Sequence, residues 1–261
     1  MMPREVHMFR VLLCCMMTLT ILGCSGQYVM TAPDQIAPAG SLAPTVVRLR
    51  RHELTFLTLP VKKGPLRFSV ADCPLRCAYT DNSGYAVVAV PVPEKPGIYA
   101  VTIATQDISG DEYSRDFPVY VWDKDRDIVA VELEAIPLDG KEASAAAAAL
   151  TRIVGDSSVI YLTSGSVNDY EKIHRRLAAL NLPDGPLLPW RRSDWRGSRM
   201  SSQLSQLRQQ FTNLNVGICR SSSAANTFSA EGMECIVVGN ETVKGAKIAT
   251  RNWADLTEKG L

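Results

Sequence analysis

The first half of the chain alternates short apolar runs with turn residues, as antiparallel strands do. The run at residues 85–92 has apolar side chains at odd and even positions alike, which favours a strand covered on both faces. Predicted strands of this kind are residues 53–59, 66–70, 85–92, 98–104 and 117–122. Their spacing predicts a β-sandwich over residues 45–124.

From residue 125 onward, helix-like and strand-like patterns alternate. Buried strands are predicted at residues 128–131, 159–164, 215–219 and 235–238, and helices at 143–150, 170–180, 200–211 and 224–231. In the second helix, Ile173, Leu177 and Leu180 form one apolar face. The alternation predicts a doubly wound α/β domain over residues 125–261, and hence a mixed fold class for the chain.

The amino terminus has the pattern of an export signal. Arg4 and Arg10 precede an apolar stretch at residues 11–22 that is too short to span a bilayer as a stable helix. The stretch ends in Ile-Leu-Gly-Cys24-Ser25, which resembles the lipobox of bacterial lipoproteins. The resemblance implies removal of a signal peptide at residues 1–23 and acylation of Cys24, with palmitate-type chains holding the protein in the membrane. An ordinary cleaved signal or a short anchor is the alternative.

The compartment follows from the same motif. Ser25 is not the Asp that is associated with inner-membrane retention, so the resemblance implies a lipoprotein of the cell envelope, anchored in the outer membrane and facing the periplasm. Residues 24–44 are rich in Ala, Pro, Gly and Ser, which predicts a flexible lipidated tether. Without residues 1–23, basic and acidic residues are equal in number, so a nucleic-acid partner is not expected.

Four cysteines remain in the exported chain besides Cys24. Cys73 and Cys77 could close a tight loop, and Cys219 and Cys235 each fall in a predicted strand. In an oxidising compartment either pair is a possible disulfide, but buried free cysteine is also common, so both alternatives stay open. The isolated histidines of the exported chain predict no metal site.

Two stretches of the predicted sandwich resemble bacterial immunoglobulin-like domains. They are Thr-Asp-Asn-Ser-Gly-Tyr-Ala at residues 80–86 and Pro-Gly-Ile-Tyr-Ala-Val-Thr at residues 96–102. Each combines a turn with the start of an alternating strand. The resemblance implies an immunoglobulin-like β-sandwich, a module that serves as spacer, adhesion unit or support.

The second half resembles the haloacid dehalogenase-like phosphatases, close to the lipin and actin-patch-protein types. The resemblance rests on Tyr-Leu-Thr-Ser-Gly at residues 161–165 and Leu-Asn-Leu-Pro-Asp-Gly-Pro-Leu-Leu at residues 180–188. It implies that Thr163 occupies the second motif. However, the two catalytic Asp of the first motif align with Glu132 and Glu134, and Arg220 stands where acids should hold Mg²⁺. A catalytically inactive pseudoenzyme without a cofactor is therefore expected.

Three interpretations of Glu132 and Glu134 remain open. In the first, they are structural acids at the end of a strand. In the second, they are part of a pocket that binds a phosphate or sugar through Thr163, Arg220 and Ser221. Alternatively, they catalyse phosphoester hydrolysis, with Glu132 as nucleophile, Glu134 as acid and base, and Mg²⁺ as cofactor.

One loop combines aromatic and basic residues. Trp190, Arg191 and Trp195 lie in a stretch suited to phosphorylated headgroups, glycans or a protein surface. Alternatively, the tryptophans pack inward. The expected function is a structural or binding role in the cell envelope, with the membrane, an envelope protein or a phosphorylated or glycan ligand as partner. A divergent secreted phosphohydrolase and a surface adhesion or assembly subunit are the alternatives.

Overall fold

A computed structural model describes residues 27–54, 57–106, 110–137, 139–190, 200–239, 248–250 and 252–258. Cys24, Arg191 and Trp195 lie outside these ranges, so the predictions made for them stay predictions. Within the described ranges, no helix has both the length and the apolar character needed to cross a membrane.

Nine strands in the first half form two sheets. In chain order they are β1 (Tyr28–Thr31), β2 (Gln35–Pro38), β3 (Leu42–Leu54), β4 (Leu57–Pro60), β5 (Pro65–Val70), β6 (Arg76–Tyr79), β7 (Tyr85–Pro91), β8 (Gly97–Gln106) and β9 (Glu112–Trp122). In the first sheet, β3 pairs with β1, β4 and β7, all antiparallel. The second sheet has the order β2-β9-β8-β5-β6, in which β2 runs parallel to β9.

These two sheets enclose one core. Alternate side chains of β5, Leu66, Phe68 and Val70, point inward and meet Val47 and Leu49 of β3 in the same apolar cluster. The turn before β7 forms as the sequence predicts, because the side chain of Asp81 accepts hydrogen bonds from the backbone N–H groups of the residues that follow.

The second half contains a six-stranded parallel sheet. Its elements are β10 (Ile128–Glu132), α1 (Lys141–Val154), β11 (Ser158–Thr163), α2 (Tyr170–Ala179), β12 (Leu187–Pro189), α3 (Met200–Gln210), β13 (Leu214–Cys219), α4 (Ser222–Ala230), β14 (Glu234–Val238), β15 (Ile248–Thr250) and α5 (Trp253–Glu258). The strand order is β12-β11-β10-β13-β14-β15. Helices α1, α2 and α5 pack on one face, and α3 and α4 on the other.

The predicted fold class is wrong for this chain. We expected an immunoglobulin-like β-sandwich followed by a doubly wound haloacid dehalogenase-like domain, whereas the protein is mostly β-sheet, with several sheets. The sheets also share apolar contacts across the predicted boundary at residue 125. Tyr120 and Trp122 of β9 belong to the same cluster as Phe211 and Phe228. A reading of local periodicity identifies the elements but not the surfaces that they bury against one another.

Two local predictions also require correction. The predicted tether at residues 24–44 is folded from residue 28, because β1 and β2 pair with β3 and β9. The predicted strand at residues 53–59 covers parts of two strands, β3 and β4, which pair as a hairpin. Both errors arise because pairing with a distant strand can order a segment whose own periodicity is weak.

Candidate functional site

The two glutamates singled out in the sequence lie at the carboxyl edge of the parallel sheet. Strand β10 occupies the centre of that sheet and ends at Glu132, with β11 on one side and β13 on the other. A short 3₁₀ turn, Leu133–Ala135, carries Glu134. The loops that follow β11 and β13 therefore converge on these two carboxylates.

Glu132 binds the loop between β13 and α4. Its Oε2 accepts hydrogen bonds from the backbone N–H groups of Arg220, at 2.8 Å, and Ser221, at 3.0 Å. Its Oε1 accepts from the Ser221 hydroxyl at 2.7 Å. Only 4% of Glu132 is exposed. A buried carboxylate thus fills the place before a helix amino terminus where an external anion would otherwise bind.

Glu134 makes the corresponding contact with the loop after β11. Its Oε1 accepts hydrogen bonds from the Thr163 hydroxyl at 3.0 Å and from the backbone N–H and the hydroxyl of Ser164, both at 2.7 Å. The Thr163 hydroxyl also accepts from the backbone N–H of Gly165 at 2.9 Å. Glu134 is exposed, unlike Glu132, but it ties β10 to β11 in the same manner.

This arrangement suits a structural contact better than phosphoryl transfer. Glu132 is only 4% exposed and accepts three hydrogen bonds from the protein, so a phosphate ester or Mg²⁺ has little access to this carboxylate. Across the described parts of the chain, no group of three or more His, Cys, Asp or Glu side chains is placed to hold a metal ion. At this edge of the sheet, the two carboxylates bind N–H and hydroxyl groups of the protein itself.

Several candidate ligand residues are used inside the protein. The Ser221 hydroxyl donates to Glu132 and the Thr163 hydroxyl donates to Glu134, so these two predicted anion contacts are made to the protein's own carboxylates. Arg220 donates to Glu132 only through its backbone N–H, and the residue is exposed, so its role as an anion contact stays a prediction. Trp190 is only 1% exposed and its ring centroid lies 5.4 Å from that of Phe228. This burial agrees with the alternative in which the tryptophan packs inward, and a ligand contact by Trp190 stays a prediction.

Four cysteines lie in the described ranges. Cys73 is half-buried and Cys77 is exposed. Cys219 and Cys235 are buried on adjacent strands, with their Sγ atoms 3.4 Å apart. The hydrogen bond with the Cys219 thiol lowers the pKa of Cys235. A disulfide between Cys219 and Cys235 stays a prediction.

A second polar contact joins distant parts of the chain and was missed in the sequence. The buried Asp34 accepts hydrogen bonds on Oδ2 from Nε2 of His174, at 2.7 Å, and from the backbone N–H of Leu187, also at 2.7 Å. Nearby, the Tyr120 hydroxyl donates to Asp184 at 3.1 Å. Asp34 precedes β2 and His174 lies in α2, so no local pattern could have indicated the pair.

We expect this contact to make stability depend on pH. Burial opposes the charged form of His174, but the hydrogen bond and negative charge of Asp34, aided by Asp184, raise its pKa overall. A raised pKa in the folded state stabilises the protein fully below the unfolded value of about 6.5, and this contribution is lost as pH rises through the folded pKa. The stability lost in His174→Gln should therefore be about 1 to 2 kcal/mol in mild acid and smaller in mild alkali.

Urea unfolding of both proteins across this pH range measures the difference. His52→Gln is the matched control, because the His52 ring contacts the Thr58 hydroxyl rather than a carboxylate. An equal cost of His174→Gln at every pH would contradict the assignment.

A groove lies between the first sheet and α3. It has a volume of about 340 Å³ and combines apolar walls with carboxamide groups; its lining includes Pro33, Pro44, Val46, Val87, Gln203 and Gln206. This volume is in the range of small-molecule sites. Neither Glu132 nor Glu134 lines the groove, so it is separate from the carboxyl edge of the sheet.

No protein-family model matches the chain, and no curated protein matches it. Among solved structures, it is similar to a carbohydrate acetylesterase from Xanthomonas citri, at 14% identity and a TM-score of 0.35, covering 80% of this chain and 60% of that one. It is also similar to a 2,6-sialyltransferase from Photobacterium sp. JT-ISH-224, at 7% identity and a TM-score of 0.25, covering 82% of this chain and 39% of that one. The chain thus spans less than two thirds of either protein, and TM-scores this low support no argument about activity.

Proposed function

We propose that this protein is a lipid-anchored component of the bacterial cell envelope with a structural or binding role, and that it does not hydrolyse phosphate esters. The anchor part of the proposal rests on the sequence around Cys24. The non-catalytic part rests on one observation, namely that both oxygens of Glu132 accept hydrogen bonds from the loop between β13 and α4.

A nucleophilic carboxylate needs direct access to the phosphorus atom. Attack on phosphorus requires an unoccupied lone pair that points at the substrate, and small displacements of the reacting atoms are costly in rate. Glu132 is buried and instead accepts hydrogen bonds from two backbone N–H groups and a hydroxyl of the loop between β13 and α4. The same contacts join β10 to α4, which is a structural role.

The binding part of the proposal rests on the groove beside α3. Its carboxamide groups, from Gln203, Gln206 and Gln210, suit an uncharged ligand with hydrogen-bonding groups and an apolar face. A glycan or peptide has this character.

We expect no phosphatase activity from the exported chain, residues 24–261 with Cys24→Ser. Hydrolysis of an aryl phosphate, with and without Mg²⁺, should not exceed that of the Glu132→Gln/Glu134→Gln variant. Turnover that requires Mg²⁺ and is lost in either single variant would overturn the non-catalytic proposal. The anchor is tested separately, by mass spectrometry of the Cys24 peptide from membranes of the expressing cell. An unmodified cysteine there would refute the anchor.

A further inference from the structure

Two arginines lie side by side on the outward face of the first sheet. Arg48 and Arg50 are two positions apart in β3, so their side chains project from the same face. Val47 precedes Arg48, and Leu49 lies between the two arginines. Both point to the opposite face, into the core. The arginines therefore stand on the surface of the sheet, where a ligand can reach them.

Their guanidinium groups have unmet hydrogen-bonding capacity. The Nε atoms of Arg48 and Arg50 are buried and have no acceptor in the described part of the chain. Arg48 lies over the Tyr85 ring at 5.1 Å from its centroid. Burial lowers the pKa of Arg50, and the positive charge of Arg48 lowers it further. Both side chains are half-buried, so an oxyanion that binds between their accessible parts would offset the repulsion between the two guanidinium groups.

The stretch of sequence around the two arginines is basic, although basic and acidic residues are equal in number in the exported chain. Between residues 45 and 64 the basic residues are Arg48, Arg50, Arg51, Lys62 and Lys63, and Glu53 is the one acidic residue. Glu53 already forms an ion pair with Arg51. No described carboxylate forms an ion pair with Arg48 or Arg50, so no described residue neutralises the positive charge of these two side chains.

The position of this surface along the chain indicates which anion it meets. Three residues separate Cys24 from Tyr28, where β1 begins, and Val29 of β1 pairs directly with Arg50. Even fully extended, four residue steps span only about 14 Å. If acyl chains on Cys24 enter the bilayer, the arginines are held close to its headgroups.

Leu57 and Leu59 of the neighbouring strand β4 are 39% and 43% exposed. Leu59 pairs with Arg51, which alternates with Arg50 along β3, so Leu59 projects from the face opposite to Arg48 and Arg50 and is not part of the proposed site.

We propose that Arg48 and Arg50 bind the phosphate of an anionic phospholipid, so that this end of the first sheet lies on the membrane surface. The choice of a lipid as ligand rests on the proposed anchor at Cys24, whereas the oxyanion chemistry rests on the two arginines. Guanidinium groups are suited to this role because their planar donors can bind two oxygens of one phosphate.

The test is binding of residues 24–261 with Cys24→Ser to vesicles, measured by co-sedimentation at constant ionic strength. Vesicles of equal parts phosphatidylglycerol and phosphatidylcholine should bind this protein, and pure phosphatidylcholine vesicles should bind it weakly. Arg48→Gln/Arg50→Gln should weaken binding to the anionic vesicles roughly tenfold or more. Because the acyl chains are absent, the result does not depend on whether Cys24 is modified in the cell.

The matched control is Arg76→Gln/Arg175→Gln, which removes the same charge from two exposed arginines on other elements. It should bind anionic vesicles nearly as well as the parent protein. Equal loss in both variants, or no loss in the first, would overturn the proposal. Full competition by millimolar inorganic phosphate would identify a soluble anion as the ligand and would likewise overturn it.

Folding of the variants is checked by circular dichroism and thermal unfolding. Arg48→Lys/Arg50→Lys provides a second measurement, because it keeps both charges and changes only the planar donor groups. It should bind more weakly than the parent protein but better than the glutamine variant. Binding equal to that of the parent would refute recognition by guanidinium groups.

Discussion

Glu132→Gln is expected to lower the free energy of unfolding by about 3 kcal/mol. The amide keeps one acceptor oxygen, but its NH₂ group then faces donors, namely the backbone N–H groups of Arg220 and Ser221 or the Ser221 hydroxyl. Because Glu132 is buried, water cannot replace the lost contacts. Urea unfolding of residues 24–261 with Cys24→Ser measures the change.

Glu134→Gln is the matched control, because it makes the same chemical change in an exposed carboxylate. We expect it to cost about 1 kcal/mol, since water can satisfy the groups that it leaves. A double-mutant cycle of Glu132→Gln with Ser221→Ala should show coupling, because the two side chains share a hydrogen bond. Equal costs for the two glutamine variants, without coupling, would contradict the structural role of Glu132.

Trp190→Ala is expected to cost about 3 to 5 kcal/mol of stability, the range typical of emptying a buried tryptophan site. The Trp190 side chain follows β12 and packs in the cluster that contains Leu204, Leu207 and Phe228. Truncation leaves a cavity between the sheet and the helices that cover it, which packed neighbours cannot fill.

Thermal and urea unfolding measure this loss, and Trp190→Phe is the control. Phenylalanine keeps an aromatic ring against Phe228 and should cost less than the alanine variant. A protein with Trp190→Ala that keeps its stability but loses binding to a glycan or phospholipid would instead show that Trp190 is a ligand contact.

The sequence predicted in part which residues lie close together at the carboxyl edge of the parallel sheet. The apolar run that ends in Glu132 and Glu134 indicates a buried strand whose carboxyl end carries two acids. Thr163 and Arg220 follow the neighbouring strands β11 and β13, so parallel pairing brings all of them to one edge. The pattern could not indicate that the hydroxyl and N–H groups bind the two carboxylates rather than a ligand. These partners depend on the distances between side chains in the folded protein.

The contact between Asp34 and His174 could not be predicted from local sequence patterns. Asp34 lies in a segment whose Ala, Pro and Gly content predicted a tether, yet it is 5% exposed and holds His174 of α2. Composition describes what a segment can do alone. It does not show that a distant histidine and the Leu187 N–H group supply the donors that make a buried carboxylate stable.

The sequence alone determined most helices and strands, since hydrophobic periods of two and of 3.6 residues identify the side chains that must leave water. It also determined the turn at Asp81 and the placement of two acids at the end of β10. Tertiary structure alone decided the fold class, the pairing of β1 and β2, the burial of Trp190 and the use of Glu132 as an internal acceptor. These depend on contacts between residues far apart in the chain, whose partners are selected by the surfaces that the assembled sheets leave to be covered.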